Sequence, residues 1–294
     1  MKILYRIFIF GLILSSQACS SLSHQNSVAG QLIIAEPVEV NYKSEIALAR
    51  MTEVIQRADL TDSQRAQLFY DRGVIYDSVG LRSLARLDFN RALRLKPDLV
   101  DAYNFLGIHF TQLQEYTQAY DSLDSAIELD ANHEFAYLNR GIALYYGGRP
   151  SLAIEDLKAF YQQRSDDPYR ILWLYLAERE LSSEEALINL AKRADNIPDQ
   201  VWAKKIVNLY LGKITQDRFL TMLTQGVETN KELSDRLCEA YFYLGKINQI
   251  AGNNQDAADF YKLALSTNVF EFVEHRYAKL ELDLLRQASG NKTL

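Results

Sequence analysis

Apolar residues recur at helical spacing over most of this chain, and small residues recur within them at a longer spacing. Gly73, Gly107 and Gly141 are 34 residues apart, and so are Ala85, Ala119 and Ala153. A self-similar period of that length marks helical hairpins stacked side by side, because one hairpin exposes an apolar face it cannot bury alone. The pattern predicts an all-α solenoid. Small residues are needed where the two helices of a hairpin (A, then B) cross most closely, and large side chains fill the space between hairpins.

The first unit opens with a capping box, Thr61-x-x-Gln64, in which each side chain satisfies the other's backbone donor. Its helix A carries Phe69, Gly73 and Tyr76 and stops at Gly80; its helix B carries Ala85, Phe89 and Ala92 and ends before Pro97. The second unit matches with Tyr103, Leu106, Gly107 and Phe110, then Ala119, Leu123 and Ala126. The third has Tyr137, Gly141 and Leu144, a Gly147-Gly148-Arg149-Pro150 turn, then Ala153, Leu157 and Phe160. These three units span 61–167 and end at Asp167-Pro168, a cap with proline in the first helical turn.

Residues 168–233 carry helical stretches (YRILWLYLAER, SEEALINLAKR, QVWAKKIVNLYLG) without the small-residue signature. The signature returns in 234–270 with Tyr241, Leu244 and Gly245, then Ala257, Tyr261 and Ala264. Within 271–294 an amphipathic helix from about Glu271 to Gln287 is predicted to cover the open end of the stack, with a frayed tail. Before the repeats, 44–60 places Ile46, Ala49, Met51 and Ile55 mostly on one helical face and has no partner hairpin. Such an orphan caps the array or packs on a second copy, which points to a homodimer.

The first 18 residues read as a signal peptide: basic Lys2 and Arg6, an apolar run Ile7 to Leu14, then small or polar residues to Ala18. Cys19 at the cleavage point is the predicted lipid attachment site, although Ser16 and Gln17 replace the usual aliphatic and small residues. The only cofactor-like group expected is thus an acyl and diacylglycerol lipid on Cys19, an anchor to a membrane. Ser20 rather than Asp follows it, which favours the outer membrane, facing the periplasm. Residues 19–43 are polar and Ser-rich, then extended around Pro37, as a flexible tether would be. Lipidation leaves Cys238 without a disulfide partner, so it is expected to be a buried thiol.

Net charge is −6, and −8 without the leader's two basic residues, leaving 30 basic against 38 acidic. That balance argues against nucleic acid as a partner. No catalytic residue or metal ligand is assigned. His24, His109, His133 and His275 are scattered, and no HExxH, GxSxG, CxxC or Gly-rich phosphate loop occurs. His109 is expected to be a partly exposed structural histidine, and Glu274-His275-Arg276 a solvated helix face. Asp166-Asp167 and Glu184-Glu185 fall at helix starts, where negative charge suits the helix dipole.

In such hairpin arrays helix A projects positions 2, 5, 9, 12 and 13 into a concave groove. From these the predicted partner-binding residues are Tyr70 and Asp77, Asn104, Thr111 and Gln112, and Tyr145 and Tyr146. Phe135, Leu138 and Ile142 share that face. The groove carries no lysine, so an apolar or aromatic anchor suits it better than a C-terminal carboxylate.

The in-phase matches to W-x2-L-G-x2-Y…A-x3-F…A…P at 69–97, 103–131, 137–165 and 241–269 resemble tetratricopeptide repeats. EIALARM (45–51), LFYDRGVIYDS-x-GLR-x-LAR-x-DF (68–89), LNRGIALYYGGR (138–149) and FVEHRYA (272–278) resemble the NlpI family of bacterial envelope lipoproteins. The likeness covers nearly the whole chain and is weakest between 180 and 235. It implies a lipid-anchored, non-enzymatic adaptor that dimerises by exchanging N-terminal helices. It further implies binding to a periplasmic tail-specific protease of the Prc type and to murein endopeptidases and other peptidoglycan hydrolases, with a role in cell division. The alternative is a repeat protein that helps assemble other envelope complexes without delivering clients to a protease.

Overall fold

Fourteen α-helices and no strand make up the regular structure of the residues that the computed structural model describes, 32–56 and 59–290. The chain divides after Ile33 into two units, and the second, Ile34–Leu294, is the subject below. The predicted signal peptide, Cys19 and most of the tether lie outside the described residues, as does the end of the tail.

Helix α1 (Tyr42–Ile55) precedes three hairpins: α2 (Asp62–Ser78) with α3 (Arg82–Leu95), α4 (Val100–Gln112) with α5 (Tyr116–Leu129), and α6 (Glu134–Tyr146) with α7 (Pro150–Gln163). Next come α8 (Pro168–Arg179) with α9 (Ser183–Ala194), then two short helices, α10 (Lys204–Tyr210) and α11 (Gln216–Leu220). A fifth hairpin, α12 (Asn230–Ile250) with α13 (Asn254–Ser266), leads to α14 (Val273–Gly290). Thr61 and Gln64 form the expected capping box at α2.

The repeat glycines are there because something large lies against them. A Cβ on Gly73 would meet the Phe89 ring at 2.7 Å, one on Gly107 the Leu123 Cγ at 2.3 Å, one on Gly141 the Leu157 Cγ at 2.7 Å, and one on Gly245 the Tyr261 ring at 2.4 Å. All four large side chains are fully buried, each worth about 1.5–3 kcal/mol of hydrophobic transfer. A second link crosses the hairpin beside two of these sites. Arg72 clasps Asp88 at 2.6 and 2.9 Å, and Arg140 clasps Asp156 at 2.7 and 2.8 Å. In four of the five hairpins the turn between the A and B helices places one residue at positive φ. It is Gly80, Gly148 and Gly252 in three of them but Gln114, at φ 61°, in the second repeat.

The structure differs from expectation at both ends. The last part of the predicted tether is fastened down. Glu36 exchanges backbone bonds with the Asn230 side chain (3.1 and 2.9 Å), Val38 N–H donates to the Thr267 carbonyl (2.9 Å), and Ala35 is buried. Helix α14 does more than cap the last hairpin. It packs on α12 and α13 and also reaches α4, with buried residues all along it from Glu274 to Leu285. Helix α1, by contrast, buries only Ile55 and leaves Tyr42 and Ile46 exposed.

Two substitutions test this packing. Gly107→Leu is expected to lower the unfolding free energy by on the order of 1–3 kcal/mol or more, by overpacking against Leu123. Gln114→Gly, which relieves the positive φ, is expected to raise it by roughly 1 kcal/mol. Urea unfolding of both variants checks the two signs.

Candidate functional site

Three of the predicted groove residues, Asp77, Tyr145 and Tyr146, bond to the chain's own later helices instead of facing an open groove. Asp77, 2% exposed, accepts from Arg276 of α14 at 2.5 Å and pairs with His109 at 2.7 Å. Tyr146 donates to Glu281 of α14 at 2.8 Å and stacks on Tyr277, with centroids 5.3 Å apart. Tyr145 accepts from Lys246 of α12 at 2.8 Å, and Lys246 also pairs with Glu281 at 2.5 Å. Asn104 bonds Asn139 of the next repeat at 2.9 Å, Thr111 donates to the Gly107 carbonyl at 2.8 Å, and Tyr70 packs on Phe89. Gln112 is half-buried. The physical reason for the correction at Asp77, Tyr145 and Tyr146 is that α12 and α14 lay the buried polar side chains of Lys246, Arg276 and Glu281 on them.

What stays open is a cavity of about 400 Å³ between α6, α7, α8, α12 and the start of α14. Asp167 caps α8 by accepting from the backbones of Tyr169 (2.9 Å) and Arg170 (3.3 Å), with Pro168 in the first turn. That start aims Tyr169, Arg170 and Trp173 at the cavity. Arg170 ties three elements together. It donates to the Phe160 carbonyl (2.6 Å) and to Glu134 (2.7 Å), and its guanidinium sits 3.7 Å from the Phe160 ring centroid. Arg164 pairs with Asp167 at 2.5 Å. Phe135, half-exposed, and Leu138 supply an apolar wall.

Glu239 of α12 and Glu274 of α14 also line the cavity. Burial, and then the neighbouring Glu274 charge, pushes the Glu239 carboxyl up to about 8. Burial, with a smaller contribution from Asp167, pushes Glu274 up to about 7. Tyr169 and Tyr243 hydroxyls partly offset this, the latter donating to Glu274 at 3.3 Å. The pair therefore holds protons near neutrality or takes up an external positive charge.

Several expectations need correction. His109 is 1% exposed, and burial lowers its proton affinity despite Asp77. Glu274, His275 and Arg276 are all buried, so they are not a solvated face. Cys238 is a buried free thiol, as expected, and burial raises its pKa. No group of three or more His, Cys, Asp or Glu among the described residues is placed to hold a metal ion. Of the cavity wall, sequence reasoning had put Phe135 and Leu138 on the groove face. It missed Trp173, Arg170, Glu239 and Glu274. The available signal was spacing: Glu274, Tyr277, Glu281 and Leu285 fall on one face of α14.

No family model matches the chain. A tetratricopeptide repeat protein from Parabacteroides merdae is similar over 83% of this chain and 91% of its own length, at 17% identity and a TM-score of 0.51. YrrB, described as a TPR protein with an unusual peptide-binding site, aligns over 74% of this chain and 91% of its own, at 15% identity and a TM-score of 0.44. MamA aligns over 54% of this chain and 96% of its own, at 20% identity and a TM-score of 0.47. The likeness to the Parabacteroides protein shows the fold, a tetratricopeptide-type solenoid of helical hairpins.

The raised carboxyls set a pH dependence. Their stabilising effect is complete below the usual value of 4.5 and is lost as pH rises through about 7 and about 8, because the native state then binds more protons than the unfolded chain. Buried histidines act in the opposite sense at lower pH, so the informative quantity is the difference from a Glu239→Gln/Glu274→Gln variant. The Tm advantage of that variant is expected to grow between about pH 5 and about pH 8; thermal melts that stay parallel contradict the assignment.

Proposed function

We propose that this chain is a lipid-anchored scaffold of the bacterial envelope, related to the lipoprotein NlpI. It brings murein endopeptidases and other peptidoglycan hydrolases to a periplasmic tail-specific protease of the Prc type. In this reading Cys19 carries the lipid, the outer membrane holds the protein facing the periplasm, and two copies pair through α1. Control of hydrolase levels then bears on peptidoglycan degradation and cell division.

The observation that carries the reading is the combination of a stacked-hairpin frame with an open recess lined by apolar, aromatic and acidic side chains. Concave repeat surfaces suit the holding of protein segments. The exposed Tyr42 and Ile46 on α1 are an apolar surface that a second copy would cover. The resemblance at 45–51, 68–89, 138–149 and 272–278 supplies the particular partners.

Delivery to a protease has a direct readout. Murein endopeptidase half-life, followed by immunoblot after translation is stopped, is expected to lengthen severalfold when the protein is deleted and to recover when it is restored. An unchanged half-life contradicts delivery.

A further inference from the structure

We propose that the recess between α6, α8, α12 and α14 receives a cationic side chain, a lysine or arginine, carried by an extended segment of a protein partner. The proposal rests on the reading of the chain as a protein-binding scaffold and adds which kind of partner residue it grips.

The charge inventory of the buried carboxylates is the main argument. Asp77 has Arg276, Asp88 has Arg72, Asp156 has Arg140, and Glu281 has Lys246. Glu274 is as buried as these, at 6% exposed. Yet its partners are neutral, a backbone N–H of its own first helical turn and the Tyr243 hydroxyl, and neither brings a counter-charge. Glu239 beside it leans on the Tyr169 hydroxyl, and the nearby charges acting on it are acidic. The two cations in the wall are already engaged, Arg170 with Glu134 and Arg164 with Asp167. A buried carboxylate without a counter-charge is costly, so the site is complementary to a cation brought from outside.

The rest of the recess fits a long basic side chain. Phe135 and Leu138 offer apolar surface to a methylene stem, and basic side chains bury such stems while keeping the charged head on polar partners. Tyr169 and Trp173 line the same space, and aromatic rings attract cations. The volume of about 400 Å³ lies within the roughly 300–1,000 Å³ usual for ligand sites. Glu271 and Phe272 also line a second recess of about 300 Å³, together with Phe270, Val40 and Asn41.

The test uses the full-length protein and two N-acetylated, C-amidated peptides, Ala-Leu-Lys-Leu-Ala and its counterpart with norleucine in place of lysine. Norleucine keeps the stem and removes the charge. Isothermal titration is expected to show the lysine peptide binding about tenfold tighter or more. That margin is expected to collapse in the Glu239→Gln/Glu274→Gln variant and to survive in Glu128→Gln, on the exposed side of α5. Circular dichroism confirms that the variants are folded. Equal affinity for the two peptides, binding of neither, or a margin that survives in the double variant overturns the proposal. If the margin fails while endopeptidase turnover still depends on the protein, the scaffold reading stands and only the cation site falls. If the margin holds while turnover is independent of the protein, the cation site stands and the delivery reading falls.

Discussion

Helix α14 lies against the A helices of the repeats because charges on both sides left water in pairs. Asp77 of the first repeat meets Arg276 and His109, and Glu281 meets Lys246 and the Tyr146 hydroxyl. Removing one member of a buried pair typically costs about 3–5 kcal/mol, since the other is left without a partner in low dielectric. Lifting α14 away would take Arg276 from Asp77 and Glu281 from Lys246 and would remove Tyr277 from Trp173, which also touches Tyr145 and Phe242. The helix position is therefore fixed by several contacts that fail or hold as one.

That constraint shapes the recess. With α14 seated, its first turn brings Glu274 beside Glu239 and Tyr243, and Val273 joins the lining. The same packing that satisfies Glu281 leaves Glu274 without a cation. The recess thereby carries two carboxyls whose pKa values burial raises, together with the apolar Phe135 and Leu138. The stacked-hairpin frame thus keeps a chemically distinct opening, and the proposed scaffold role uses it.

The repeats were legible in the sequence because the contact that defines them is local. Gly73 meets Phe89, and Gly107 meets Leu123, within a single hairpin, so one short period carries the information. The placement of α14 was not legible, because its bonds join residues 135 and 199 positions apart and follow no local rule. Charge also misled: Glu274, His275 and Arg276 look solvated until their distant partners are known. Helix α8 lacked the small-residue signature for a different reason. It is buried on every side from Arg170 to Ala177, so it shows no apolar stripe to read. Tyr145 and Tyr146 were placed on the correct face of α6, but the occupant of that face is the chain itself.

The central claim is that α14 is an integral wall and not a loosely docked tail, and native-state hydrogen exchange tests it most directly. The account predicts that amides of residues 277–285 exchange only through global unfolding, with protection equal to that of α12. Exchange of α14 through a separate, lower-energy opening while α12 stays protected would contradict it.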